Sequence, residues 1–307
     1  MVEWASATEH GHMAVIPAGS RVIVEPTGGW LAVALAAEQA PAWTHLRFGY
    51  GDHHVQFDVN PRGTRVAITS TAGIPADYVQ TLLFSTVMGY LLHRLGRLAL
   101  HAGVVARGGA AFAIAGAQGA GKSTTVGALI QRGCTSMSDD VAVLTRTRQG
   151  WAVVPGITGI RLAPQAQAAL GIPPEAATPL WPRSQPLPGV DYRRLEDKAV
   201  VTVDAAPDHR PGVDALPLAG VFLLPPRTDA VRSPRVTILP RTAAVPRLVA
   251  LLSTPAWLAR TVDEHRFATL ADLARTTPVY VVERPDNLDA LPQLCDALLG
   301  AMELQRR

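Results

Sequence analysis

Ala110-Ala-Phe-Ala-Ile-Ala-Gly116-Ala-Gln-Gly-Ala-Gly121-Lys122-Ser123-Thr124 is the stretch on which the reading of this chain turns. The run from Ala110 to Ala115 reads as a strand and passes directly into a glycine-rich loop. Gly116 to Ser123 matches G-x-x-x-x-G-K-[ST] in the context that pattern needs, after a strand and at the start of a helix. Glycines let the backbone wrap around a polyphosphate with its N–H groups turned inward, and the helix N-terminus adds partial positive charge. Gly116, Ala117, Gln118, Gly119, Ala120 and Gly121 then form the cradle, with Ser123 and Thr124 opening the helix. Lys122 reaches the β- and γ-phosphate oxygens, and the Ser123 hydroxyl holds magnesium. The expected ligands are a nucleoside triphosphate, ATP, and Mg2+. A dinucleotide-binding reading competes, because Asp139 follows at about the distance of a ribose-binding acid. It loses on glycine spacing, and because Lys-Ser has no role in gripping a dinucleotide pyrophosphate.

Outward from the loop, Val104-Val-Ala106 and Ala110 to Ala115 flank Gly108-Gly109 as a hairpin. A helix from Lys122 to about Arg132 stops at Gly133. The run Cys134 to Met137 follows, then Ser138-Asp139-Asp140 and a strand at Val141 to Leu144. About three helical turns let the chain return and set the acidic pair beside the phosphate loop. There one carboxylate of the pair Asp139 and Asp140 can hold the metal, directly or through water, with Asp139 the candidate ligand, while the other accepts or orients an acceptor's proton; which of the two takes which role stays open. An isolated Asp-Asp is more simply a turn capping a strand, and the adjacent loop is what favours chemistry. On spacing alone His101 is a structural histidine.

Before this segment the chain alternates short β-branched runs with turns. The runs are Arg21 to Glu25, Leu31 to Leu35, His54 to Asp58 and Arg65 to Thr69, and they predict a small antiparallel sheet. Pro75 and Asp77 open a helix whose apolar residues recur at helical spacing until Gly96. After Trp151, strand-like runs (151–154, 200–203, 220–224, 235–239, 279–282) alternate with helix-like ones (242–252, 267–275, 288–304). Pro164 to Val190 is rich in proline and alanine and predicts a long surface loop around a short helix. The domain division is 1–97, a β-rich unit with a linking helix, and 98–307, a catalytic domain.

Composition narrows the classes. Of 307 residues 48% are hydrophobic and 17% charged, a globular balance. The net charge is +3 with scattered arginines, which leaves no nucleic-acid footprint. Cys134 and Cys295 are the only cysteines, too far apart for a disulfide framework or a zinc site. The N-terminus lacks the basic start and apolar run of a signal peptide, and no apolar stretch reaches the roughly 18 residues of a membrane span. A soluble, reduced, cytoplasmic protein without membrane contact is expected, with self-association left open. Lysine occurs only at Lys122 and Lys198, in a chain that otherwise uses arginine. Such a chain keeps lysine where a compact ammonium on a flexible stem is needed.

Leu100-His-Ala-Gly-Val-Val, Gly116 to Thr124, Arg132-Gly and Ser138-Asp-Asp-Val141 together resemble the catalytic core of the HPr kinase/phosphorylase family, and most closely its smaller lasso-peptide-cluster members. The resemblance implies a mixed α/β, phosphoenolpyruvate-carboxykinase-like P-loop kinase core behind a small β-rich N-terminal unit. It implies the active-site histidine at His101, the nucleotide lysine at Lys122, the magnesium hydroxyl at Ser123, and the acidic pair at Asp139 and Asp140. Asp197-Lys198-Ala-Val-Val looks like the basic position that precedes a strand in the lasso-linked group, and Arg161 is a further candidate for the phosphates. A solvated strand arginine is the alternative for Arg161.

The chain departs from the family in lacking its C-terminal phosphorolysis signature and in the character of its N-terminal unit. HPr is therefore not the expected acceptor, and neither is carboxykinase chemistry the expected reaction. The expectation is an ATP- and magnesium-dependent kinase of a serine-type hydroxyl, on a ribosomal, lasso-type precursor peptide. Free serine or another small alcohol, and a nucleotide-hydrolysing switch without acceptor, are the alternatives. Trp181, Arg183, Arg193, Arg194 and Lys198 would meet the peptide.

Overall fold

The computed structural model describes residues 43–50, 53–72, 74, 76–156, 159–179, 198–202, 215–253 and 264–305. These fall into two compact units, with a boundary between Gly96 and Arg97.

The N-terminal unit holds an antiparallel sheet of β1 (Thr44–Tyr50), β2 (His53–Val59) and β3 (Val66–Ser70), with β2 central. Leu46, Val55, Phe57 and Val59 are buried, and His45 pairs across the strands with Asp58. β1 is absent from the runs read in the sequence, and Arg21–Glu25 and Leu31–Leu35 lie outside the described residues. The helix expected up to Gly96 is not one regular helix. It runs as α1 (Ala76–Leu82), a π-helical turn at Leu83–Val87, and α2 (Met88–Arg94). No proline or glycine inside the turn announces it, and a five-residue break in hydrogen-bond register leaves the apolar spacing almost unchanged.

The larger unit contains β4 (Leu98–Leu100), β5 (Ala102–Arg107), β6 (Ala110–Gly116), α3 (Lys122–Gln131), β7 (Thr135–Ser138), β8 (Ala142–Thr147) and β9 (Gly150–Val154). Next come β10 (Ile160–Leu162), α4 (Pro164–Ala169), β11 (Ala177–Pro179), β12 (Ala199–Val201) and β13 (Leu216–Leu224). β14 (Arg235–Ile238), α5 (Arg241–Val249), α6 (Glu264–Thr276), β15 (Val279–Glu283) and α7 (Leu291–Leu304) complete it. The main sheet is mixed, in the order β4-β8-β9-β13-β6-β5-β7, with β15 also on β13 and β14 on β15. β13 runs parallel to both β6 and β15, while its first residues pair antiparallel with β9.

The residue pattern of β6 explains its central place. Phe112 and Ile114 face one apolar layer with Val126 and Leu129 of α3 and Leu294 and Leu298 of α7. Ala111, Ala113 and Ala115 face a second layer with Leu248 of α5 and Leu270 and Leu273 of α6. A strand covered on both faces needs no polar alternation. Phe222 of β13 stacks on Tyr280 of β15 with ring centroids 5.0 Å apart, and burial of each such large side chain contributes about 1.5–3 kcal/mol.

The proline-rich stretch opens with a short helix, as expected, and adds a strand that the sequence did not show. α4 packs Ala166 and Leu170 into the first layer, and Ala177–Pro179 forms a strand in the small sheet β10-β12-β11. Burial of Leu170 against α3 overrides the local proline content. Beyond Pro179 the stretch lies outside the described residues. Among the described residues no helix is long and apolar enough to cross a membrane.

Candidate active site

The glycine-rich loop leaves β6 at Gly116, where there is no room for a side chain. A Cβ there would stand 2.7 Å from the Leu224 carbonyl oxygen. Gly121, the residue before α3, has φ +87°, a conformation L side chains rarely adopt. The crown Ala117-Gln118-Gly119 is exposed, and Ala120 is buried beneath it. Thr125 caps the loop by donating its hydroxyl to Gly121 O at 2.9 Å.

Lys122 is buried, and all three of its ammonium hydrogens have acceptors: Gly116 O at 2.9 Å, Ala117 O at 3.1 Å and His101 Nε2 at 2.9 Å. Because Nε2 of His101 accepts, its proton sits on Nδ1, which faces Asp140 O at 3.2 Å and Asp140 Oδ1 at 3.3 Å. Backbone pairing holds His101 in place. Its N–H donates to Leu251 O at 2.7 Å, and Leu100 pairs with Ala142 of β8 on its other edge. Burial lowers the pKa of His101, opposed by Asp140 and reinforced by Lys122, so the neutral imidazole is favoured. Burial likewise lowers that of Lys122, with Asp140 and Asp139 pulling the other way.

Asp139 and Asp140 occupy the turn between β7 and β8. This turn reaches the loop because β7 lies on β5 and Gly103 of β5 lets α3 approach; a Cβ on Gly103 would meet Val126 Cγ2 at 2.7 Å and Asp139 O at 3.2 Å. Ser138 Oγ closes the turn on Val141 O at 2.7 Å. The two carboxylates sit in different environments. Asp139 is 4% exposed; its Oδ2 accepts the Arg161 N–H at 2.9 Å, whereas its buried Oδ1 has no hydrogen-bond partner among the described residues. Burial raises its pKa against the pull of Arg161 and of the neighbouring Ser123 hydroxyl. Asp140 is more open, and Arg161 Nη2 lies 2.7 Å from its Oδ2. Burial acts upward on it too, but Arg161, His101 and Lys122 together outweigh that and hold its pKa below the usual carboxylate value.

The donor set fits magnesium. The Ser123 hydroxyl lies against the Asp139 carboxylate, one oxygen of which is buried with no hydrogen-bond partner among the described residues, and hard oxygen donors few in number suit an ion that keeps other oxygens from substrate and water. Among the described residues there is no group of three His, Cys, Asp or Glu side chains able to hold a metal by themselves.

His101, Lys122, Ser123, Asp139, Asp140 and Arg161 thus converge. Arg161 is not the solvated strand arginine of the alternative reading: it bridges both carboxylates from β10. Lys198 is half-buried just before β12, and its charge is felt at Lys122. In the β10–β12 register Arg161 lies opposite Val200, so Lys198, two residues earlier, occupies a position of the same face. Thr124 is half-buried. Trp181, Arg183, Arg193 and Arg194 lie outside the described residues. A cavity of ≈ 400 Å³ lined by Ala128, Gln131, Leu170, Leu291 and Cys295 touches none of the site residues. Both cysteines are free and buried.

Sequence reasoning missed Arg284. It follows β15, is 5% exposed, and donates to Pro225 O at 3.0 Å, Val282 O at 3.3 Å and, through Nη2, to Ala120 O of the phosphate loop. Only its place at the end of a strand parallel to β13 could have signalled it.

No family model matches the chain, and no curated protein matches it. Among solved structures, the HPr(Ser) kinase/phosphatase from Coxiella burnetii overlaps 68% of this chain and 99% of its own, at 12% identity and a TM-score of 0.29. Overlap at that level decides neither fold nor activity, and the functional reading rests on the site itself.

Proposed function

We propose that this chain is an ATP- and magnesium-dependent kinase that transfers the γ-phosphoryl group to a serine-type hydroxyl. The observation that carries the reading is the convergence of Lys122, His101, Arg161, Asp139 and Asp140 at one glycine-rich loop. Phosphoryl transfer needs little covalent chemistry from a protein; it needs phosphates held by fixed cations and an acceptor aimed in line. Loop N–H groups grip the phosphates, and Lys122 exchanges its contacts with Gly116 O and Ala117 O for phosphate oxygens when the nucleotide binds. Magnesium, held by Ser123 and Asp139, would supply charge neutralisation of the phosphates. Asp140, kept ionised by Arg161 and His101, accepts a hydrogen bond from the acceptor hydroxyl and takes its proton. His101, with Nδ1–H toward Asp140 and Nε2 toward Lys122, couples the acid to the ammonium and fixes both.

Two carboxylates with pKa values pushed in opposite directions support this division of roles: the ionised, more open one suits the hydroxyl, the buried one with a vacant oxygen suits the ion. The acceptor we favour is a serine of a lasso-type precursor peptide, on the strength of the motif resemblance and of the cations Arg161 and Lys198, which share one face of the β10–β12 ribbon. Incubation with ATP and magnesium, alongside either a lasso-type precursor peptide or free serine, tests it by mass. One added phosphate on the peptide alone supports the peptide acceptor. Phosphoserine from the free amino acid, with the peptide untouched, transfers the assignment to a small-molecule kinase. ATP hydrolysis that no acceptor stimulates returns the chain to a switch ATPase.

A further inference from the structure

We infer that Arg284 is a positioning residue of the phosphate loop, a buried cation that fixes the Ala120–Gly121 peptide and adds affinity for the polyphosphate of a nucleotide. The inference rests on the nucleotide reading above and assigns a residue to it that no motif contains.

β6, β13 and β15 run parallel, so their carboxyl ends open on the same side of the sheet. Arg284 stands one residue beyond the end of β15 and spans all three ends with a single guanidinium. It holds Val282 O of its own strand, Pro225 O after β13, and Ala120 O in the loop after β6. The planar fork suits this, since it presents several donors in fixed directions where a lysine presents a point charge. In a trans peptide the N–H points away from the carbonyl, and among the described residues no peptide bond is cis. With Ala120 O tied to Arg284, the Gly121 N–H is therefore turned the opposite way. The same Nη2 would lie 4.0 Å from a Cβ placed on Gly121, so the fork lies directly against the left-handed residue that starts α3.

The second half of the inference is electrostatic. Among the described residues no carboxylate lies within ion-pair distance of Arg284, whose partners are carbonyl oxygens; Asp286, two residues on, pairs instead with Arg227 at 3.2 Å. Burial, with a further push from Arg227, lowers its pKa to about 10. A cation this buried is favoured by an anion close by, and the loop it touches is built to hold one. A merely structural staple across three strand ends would need the hydrogen bonds without the charge.

Binding of a fluorescent ADP analogue and steady-state kinetics on the full chain separate the two. Arg284→Met is expected to weaken nucleotide binding and raise KM for ATP by about tenfold or more, with kcat at saturation within about threefold. Arg284→Lys, which keeps the charge but not the fork, should fall between Met and the unaltered protein. The shift in Tm produced by saturating ADP should shrink in the same order. Unchanged affinity and KM in both variants, with only the Tm of the free protein lowered, overturns the inference and leaves a structural staple. If Arg284→Met fails to fold, the lysine variant decides: affinity equal to that of the unaltered protein overturns the inference, and a several-fold loss supports it. An unaltered protein that binds no nucleotide overturns the kinase reading and this inference together, whereas binding that ignores position 284 overturns the inference alone.

Discussion

The glycine-rich loop and the acidic corner face each other but are built in opposite ways. The loop is continuous, nine residues from Gly116 to Thr124, and its geometry follows from local chemistry: two left-handed glycines, a lysine at the first turn of α3, a hydroxyl after it. The acidic corner is assembled. Asp139 and Asp140 come from the β7–β8 turn, His101 from the end of β4, Arg161 from β10, and each is held by a backbone or side-chain group of another element. A loop of the first kind loses function through the residues it shows, whereas a corner of the second kind loses it through whichever support is removed.

The largest effect expected is on the loop side. Lys122→Ala should reduce ATP-dependent phosphorylation by about a thousandfold or more, since one ammonium near the phosphates carries much of an electrostatic reaction. Near-normal turnover would break the loop's half of the comparison.

On the corner side, Asp140→Asn should lower transfer by about a hundredfold while ATP–magnesium affinity, measured by titration calorimetry, stays within a few-fold. If affinity falls in step with rate, Asp140 holds the metal and Asp139 becomes the orienting acid.

Arg161→Gln sharpens the assembled nature of the corner, because it touches neither the loop nor the strand cores. A loss of about tenfold in kcat is expected, together with a displaced pH profile. Arg161 pulls the pKa of both carboxylates downward, so its removal raises both; activity that needs them ionised should then be lost at a higher pH as acid is added. An acid limb that does not move would detach Arg161 from the chemistry.

The smallest effect at neutral pH belongs to His101. Its pKa is lowered in the folded chain, so on acidification the unfolded chain takes up the proton first. Stability should fall from about pH 6.5 downward until the folded imidazole is itself protonated. His101→Gln, able to accept from Lys122 and donate to Asp140, should keep much of the activity and lose that part of the acid sensitivity. Identical melting curves against pH for both proteins would show that His101 is not the group whose suppressed protonation makes the fold acid-sensitive.

Reading of the sequence reached the loop because its chemistry is written in consecutive residue types. The acid pair was legible for a related reason: a helix of fixed rise between Lys122 and Gly133 limits where the returning chain can be. The hairpin at Gly108-Gly109 was legible too, and both residues adopt positive φ. The π-helical turn at Leu83–Val87 and the strands Thr44–Tyr50 and Ala177–Pro179 were not, since each depends on which neighbour buries the segment.

What the sequence determined alone is the strand–loop–helix unit and the identity of the groups available to it, because local propensity and side-chain chemistry act over a few residues. What only the tertiary structure decided is which carboxylate is buried and which is paired, that Arg161 serves both, and that Arg284 supports the loop from 164 residues away. Those outcomes depend on desolvation and on backbone carbonyls brought together by parallel strand pairing. A carbonyl acceptor is present at every residue, so it leaves no mark in the sequence until the fold chooses one.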